Sequence, residues 1–211
     1  MVRIIFLRHG YSQYNKTKQF TGQLDIPLEP EGYQQAEDAC RYILDTYKID
    51  KIYSSDLSRA VETVKPIADA LGFEIHKREE LREINLGKWQ NEYIDDVPKL
   101  YSEDYKRYCD GTGTGKATEG ESYEDVKIRA LKFFDEVLLH DDGKTVIVTS
   151  HGGFIRGALW ALNDGDILLK DVPIIPNAST TVVKYEPGKC VIEVMGYNGY
   201  LNSKDKSTLA E

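Results

Sequence analysis

A chain of 211 residues is long enough for one well-buried domain, with a small insertion riding on it, and short for two. With 41% apolar, 10% aromatic and 29% charged residues it is neither disordered nor fibrous, and 27 basic against 35 acidic residues (net -8) leave no electrostatic footprint for nucleic acid or an anionic membrane. Any anionic ligand must therefore be held by local charge. The longest apolar runs, such as Ile4 to Leu7 and Val146 to Val148, fall far short of the roughly 20 residues that span a bilayer, and Met1-Val2-Arg3 does not lead into the apolar core of a secretory signal. Cys40, Cys109 and Cys190 are odd in number and lack metal-ligand spacing, which fits a reducing cytoplasm better than a secreted disulfide scaffold.

In chain order, Val2 to Leu7 reads as a buried strand ending at Arg8-His9-Gly10. Pro30 opens a helix whose apolar face is Tyr33, Ala36, Cys40, Ile43, Leu44 and Tyr47. Ile49 to Tyr53 gives a short strand. A second helix follows on Leu57, Val61, Val64, Ala68 and Leu71, with Asp56 as N-cap, Gly72 past its end and a kink expected at Pro66. Residues 88 to 121 are an odd stretch, taken as an insertion: a Tyr-, Asp- and Lys-rich helix, then the Gly111-Thr112-Gly113-Thr114-Gly115 run. That run lacks the Gly-Lys-Ser/Thr ending of a phosphate-cradling P-loop and reads as a flexible loop. A third helix spans about Tyr123 to Leu139, with Ser122 and Asp125 in capping-box spacing and Val126, Ala130, Phe133, Phe134, Val137 and Leu138 on one face. Thr145 to Thr149 repeats the first strand's form and ends at Ser150-His151-Gly152-Gly153. Ser179 to Glu186 and Cys190 to Gly196, separated by Pro187-Gly188, form an antiparallel edge hairpin, and the last ten or so residues fray. The alternation predicts an α/β fold: a three-layer α/β/α, doubly wound, mostly parallel sheet with an antiparallel edge hairpin.

In such a sheet ligands lie at the carboxyl ends of the strands. Arg8, His9 and His151 sit there, and Arg59, in the first turn of its helix, can turn its guanidinium back toward them. Two arginines and two histidines in an acidic protein point to an anion site. The plainer alternative is surface ion pairs for the arginines and strand-end caps for the histidines.

The larger pattern resembles the histidine phosphatase superfamily, the phosphoglycerate-mutase-like fold, over nearly the whole chain. Phe6-Leu7-Arg8-His9-Gly10 with Ser12 and Asn15 is similar to the family's opening motif, and Phe20-Thr21-Gly22-Gln23-Leu24-Asp25-Ile26-Pro27-Leu28 to the segment after it. Gly32-Tyr33-Gln34-Gln35-Ala36 opens the next helix as the family does. Tyr53-Ser54-Ser55-Asp56-Leu57-Ser58-Arg59-Ala60 with Thr63 resembles the second arginine motif, Leu81-Arg82-Glu83-Ile84-Asn85-Leu86-Gly87-Lys88-Trp89 the acid-bearing motif, and Ser150-His151-Gly152-Gly153 the second histidine motif.

The resemblance implies that His9 is the nucleophile. To attack phosphorus it must be a neutral imidazole, which nearby Arg8 and Arg59 favour, and its other nitrogen needs a hydrogen-bond acceptor. A phosphohistidine intermediate would split the reaction into two transfers, with Arg8, Arg59 and His151 holding the phosphoryl oxygens and no metal or cofactor needed. Glu83 is the expected general acid, which requires burial or apolar neighbours to keep it protonated. Glu79, Glu80, Glu92 and Glu121 compete but lack the motif and read as solvated; His76 and His140 read as surface residues. Asn15, Thr21, Gly22 and Gly152 are expected to add phosphate or substrate contacts. Tyr11 and Gln90-Asn91 depart from common family residues at positions bearing on substrate choice.

A mutase and a phosphatase of this family differ in what receives the phosphoryl group. The mutases' doubled arginine after the acid, a carboxylate clamp, is missing from Glu83-Ile84-Asn85-Leu86-Gly87-Lys88-Trp89, and Pro176-Asn177-Ala178-Ser179-Thr180 resembles the phosphatases; Phe20-Thr21-Gly22 leans toward the mutases. The expectation is a single domain over 1–211 acting as a metal-independent phosphomonoesterase on a small phosphorylated metabolite in the cytoplasm, with no nucleic-acid or membrane partner. Phosphoglycerate mutase is the alternative reading, and a catalytically idle binding module is disfavoured by the intact Arg8, His9, Arg59, Glu83 and His151. The 88–121 insertion, with Trp89, Tyr93, Tyr101, Tyr105, Lys106 and Arg107, is expected to roof the crevice and select the substrate, though its aromatics equally suit packing within the insertion. The sequence carries no assignment of oligomeric state.

Overall fold

Apolar side chains alternate along the first strand, β1 (Val2–Arg8): Ile4 and Phe6 enter one core while Ile5 and Leu7 enter another. A strand buried on both faces must be central. In the computed structural model, which describes residues 1–163, 168–186 and 188–202, β1 lies inside a sheet completed by β2 (Lys51–Ser55), β3 (Ile75–Arg78), β4 (Thr145–Ser150), β5 (Thr180–Glu186) and β6 (Lys189–Tyr197). The order is β3-β2-β4-β1-β5-β6. The β3–β2, β2–β4 and β4–β1 pairs are parallel, and β1–β5 and β5–β6 are antiparallel. This is the expected mostly parallel sheet with a hairpin at its edge. Pro187, expected in the hairpin turn, the residues from 203 on, expected to fray, and the Leu138 side chain lie outside the described residues.

The helices are α1 (Gln13–Thr17), α2 (Pro30–Thr46), α3 (Ser58–Leu71), α4 (Val97–Leu100), α5 (Ser102–Tyr108), α6 (Tyr123–Asp141) and α7 (Gly152–Leu162). Through Ala39, Cys40, Ile43, Val64, Ile67 and Ala68, α2 and α3 cover one face of the sheet. The other face is covered by α6 and α7 through Val126, Ala130, Phe133, Phe134, Phe154, Ala158 and Leu159. The predicted box at Ser122 and Asp125 caps α6.

Several local expectations are corrected. Leu57, not Asp56, is the N-cap of α3; Asp56 is occupied by the Arg82 guanidinium, and Asp25 accepts the Ser58 N–H instead (2.7 Å). The second strand starts at Lys51 rather than Ile49, and Tyr33 is 46% exposed rather than core. The elements α1, β3 and α7 went unpredicted. Within 88–121, α4 and α5 are short, and the Gly-Thr run is pinned: Thr112 bonds Asp110, Glu124 donates to the Gly113 carbonyl, and Gly113 packs on Trp160.

Candidate active site

Because β1 and β4 are parallel neighbours with Arg8 opposite Ser150, both chains leave the sheet together at its carboxyl edge. The next residues, His9 and His151, stand side by side with ring centroids 5.1 Å apart. Arg8 closes β1, Arg59 lies in the first turn of α3, and Glu83 follows the 3-10 turn Glu79–Leu81. All five side chains are at most 1% exposed. So many ionisable groups are buried only where fixed partners offset the cost of desolvation.

The partners are largely backbone. Nδ1 of His9 lies 2.7 Å from the Gly10 carbonyl, and a carbonyl only accepts, so in the neutral ring the proton sits on Nδ1 and the lone pair on Nε2. The Gly10 N–H donates to Thr63 Oγ1, and that hydroxyl donates to the Arg59 carbonyl, tying the loop after β1 to α3. The close approach requires glycine, since a Cβ on Gly10 would lie 2.6 Å from the Gly32 carbonyl oxygen. Arg59 donates to the Leu24 carbonyl (2.7 Å) and the Gly22 carbonyl (2.8 Å), and Arg8 to the Ile175 carbonyl. Guanidinium groups fixed in this way are organised before an anion arrives.

Glu83 is held at the start of α7. Its Oε1 accepts the N–H of Ile84 and of Phe154, 2.8 Å each, and its Oε2 that of Gly153 at 3.0 Å. The carboxyl is thus fully buried and fixed by three backbone amides.

The other predicted contacts take distinct places. Asn15 accepts at Oδ1 from Ser12 N–H, Ser12 Oγ and Asn177 Nδ2, and Asn177 also donates to the His9 carbonyl (3.2 Å). Gly22 has φ +50° and carries an Arg59 acceptor. The Thr21 hydroxyl is buried with no hydrogen-bond partner among the described residues. Gly152 begins α7 beside the Arg8 guanidinium. Gln90 packs on Gly22 and accepts the Gln23 N–H at 2.7 Å.

The insertion's named aromatics are engaged mainly with each other. Trp89 is fully buried against Phe20, Tyr101, Tyr105 and Tyr108, Tyr93 is exposed, and Lys106 and Arg107 pair with Glu103 and Asp104. Residues 91–94 are knitted to 18–20 by backbone bonds such as Asn91 N–H to the Phe20 carbonyl and Ile94 N–H to the Lys18 carbonyl. Sequence reasoning missed Tyr108, whose hydroxyl is raised well above its ordinary value by burial first and by Tyr123 and Glu83 nearby. His140 is exposed and His76 rests against Tyr53 on β2. Glu121, read as solvated, is instead half-buried and bonded to Arg129 and the Asn85 N–H.

The sheet is that of an α/β protein with two histidines at adjacent parallel strand ends, flanked by buried arginines. The histidine phosphatase superfamily (branch 1) model matches residues 4–198, and the chain belongs to that family. It is 32% identical over 192 residues to phosphoserine phosphatase 1 of Hydrogenobacter thermophilus, covering 91% of this chain and 90% of that one. Over 152 residues it is 30% identical to a probable phosphoglycerate mutase GpmB of an Enterobacter species, covering 72% and 70%. Among solved structures, a mycobacterial glucosyl-3-phosphoglycerate phosphatase superposes with a TM-score of 0.85 at 27% identity, covering 92% and 98%. Among the described residues no helix is long and apolar enough to cross a membrane.

Proposed function

We propose that the protein is a metal-independent phosphomonoesterase that hydrolyses a small phosphorylated metabolite through a phosphohistidine on His9. The observation that carries this reading is the bond from His9 Nδ1 to the Gly10 carbonyl, which leaves the Nε2 lone pair for phosphorus. In the first step Nε2 bonds to phosphorus as the ester P–O bond breaks, and Glu83 gives its proton to the leaving alkoxide. In the second, Glu83 takes a proton from water, the water oxygen bonds to phosphorus, and the P–N bond breaks to release phosphate. Arg8, Arg59 and His151 hold the phosphoryl oxygens throughout, with Asn15, Thr21, Gly22 and Gly152 around them. Residues 88–121 act as the cap over this crevice, a placement supported by the backbone bonds of 91–94 to 18–20, and the reducing cytoplasm suits three unpaired cysteines.

Phosphoglycerate mutase is the second reading, favoured by the similarity to mutases and by Phe20-Thr21-Gly22. Against it, the arginine next to Glu83 in the chain, Arg82, is bound through two nitrogens to Asp56 and so is engaged rather than poised as a carboxylate clamp. Phosphorus NMR of the chelator-treated protein with O-phosphoserine, 3-phosphoglycerate and sugar phosphates separates the two. Free phosphate from one compound without isomer exchange is the expected outcome; rapid exchange of phosphoglycerate isomers with little release would make the protein a mutase.

A further inference from the structure

Glu83 sits on an irregular stretch, residues 82–86, between a 3-10 turn and the insertion, with no strand or helix of its own to set its position. The stretch is gripped by side chains from elsewhere in the chain, Gln23 Nε2 donating to the Glu83 carbonyl at 3.0 Å. Arg129, on α6, donates through Nη1 to the Glu80 carbonyl (2.6 Å) and the Arg82 carbonyl (2.7 Å), and through Nη2 to the Glu83 carbonyl (3.1 Å). Its Nε and Nη2 also bind the two oxygens of Glu121, each at 3.2 Å. Glu121 continues the grip past the acid, for its Oε2 accepts the Asn85 N–H and its own N–H donates to the Asn85 carbonyl, both at 2.7 Å. The Arg129 guanidinium also lies 5.1 Å from the centre of the Phe154 ring, and the Phe154 N–H holds Glu83 Oε1. One fork thus touches the backbone on both sides of the acid and the helix end that binds its carboxyl.

We infer that the Glu121–Arg129 pair is the positioning device for Glu83, setting where its proton is delivered. The inference rests on the reading of Glu83 as general acid. At 16% and 23% exposure the two side chains are sheltered from solvent screening, and a planar fork spans several carbonyls at once where a lysine ammonium reaches one or two. A displacement of about 1 Å in such a group costs on the order of 100-fold in rate. That loss falls on the step needing the proton, so it grows as the leaving group becomes poorer, whereas an arginine that only stabilised the fold would lower all rates alike.

The test compares full-length wild type, Arg129→Met, Arg129→Lys, Glu121→Gln and Glu83→Gln on p-nitrophenyl phosphate, a good leaving group, and glycerol phosphate, a poor one. Thermal unfolding is recorded for each. Arg129→Met is expected to lose at least about tenfold more kcat/KM on glycerol phosphate than on the aryl ester, with Arg129→Lys and Glu121→Gln between it and wild type and Glu83→Gln the most extreme. Millimolar guanidinium chloride should restore part of the Arg129→Met rate on glycerol phosphate. If Arg129→Met fails to fold, the other two variants decide on the same ratio. Equal losses on both esters in the Arg129 and Glu121 variants, while Glu83→Gln keeps its leaving-group gap, would overturn the positioning role alone. No gap in Glu83→Gln would overturn the acid assignment and this inference with it.

Discussion

A buried histidine is a nucleophile only if one nitrogen keeps its lone pair, and here a single backbone carbonyl makes that choice for His9. Replacing His9 by alanine should therefore reduce turnover by at least about a thousandfold while the circular dichroism spectrum stays that of the wild type; retained activity would exclude the covalent route. Gly153 shows how little room the acid has. A Cβ there would lie 2.6 Å from Glu83 Oε1 and 2.9 Å from Ile84 Cγ2, so the side chain can be added only by moving the carboxyl off the start of α7. Gly153→Ala should lower kcat on glycerol phosphate by roughly 100-fold, and steady-state kinetics close to wild type would mean that the carboxyl position does not matter. The placement of His9, Arg8 and Arg59 was legible because each sits in a local pattern at a strand or helix end, whereas Glu83 was picked out by its motif alone. Asn177 and Arg129 were not legible as site residues, because their partners stand 168 and 46 residues away along the chain.

Elements were most legible where a local signal and burial agreed. The Ser122–Asp125 box begins α6 as read, with Ser122 Oγ accepting the Asp125 N–H. Ser122→Ala should cost about 1 kcal/mol, lowering the unfolding midpoint by about 2–4 °C, and should leave the ratio of rates on good and poor leaving groups as in wild type; an unchanged midpoint would show the cap to be idle. The start of α3 was misread because Asp56 has the right chemistry for a cap but finds a stronger, charged partner in Arg82, and the acceptor for the Ser58 N–H arrives from a distant loop at Asp25. The helix α7 escaped notice because Gly152 and Gly153 are poor helix formers. Their value lies in letting Arg8 and Glu83 approach the helix end, which is a tertiary demand.

Across the whole molecule, acid sensitivity follows from carboxylates that the fold keeps charged. Hydrogen bonds and charge from Arg82 hold Asp56 below its ordinary 3.8. Burial pushes Asp141 up, but Lys144, Tyr53 and Lys51 outweigh it and the net shift is downward; at Asp38 burial is likewise outweighed by bonds from Asn202 and Gln34 and by Arg41. A carboxylate lowered on folding adds stability that is complete above its unfolded value and disappears as the pH falls through the folded one. The unfolding midpoint should thus show no loss from these groups above about pH 5 and fall steeply below about pH 4. Asp141→Asn, already lower at neutral pH, should show a shallower fall, and a parallel curve would remove Asp141 from the account.

The sequence by itself determined the α/β alternation, the family and the residues at the strand and helix ends, because these are written in short-range periodicity and contiguous motifs. Only the tertiary structure decided which carbonyl meets the His9 ring, that α7 binds the Glu83 carboxyl through its first amides, and that Glu121 pairs with Arg129 rather than facing solvent. Those contacts join backbone groups that every residue carries to side chains far away in the chain. No residue type announces them, and folding alone brings them within bonding distance.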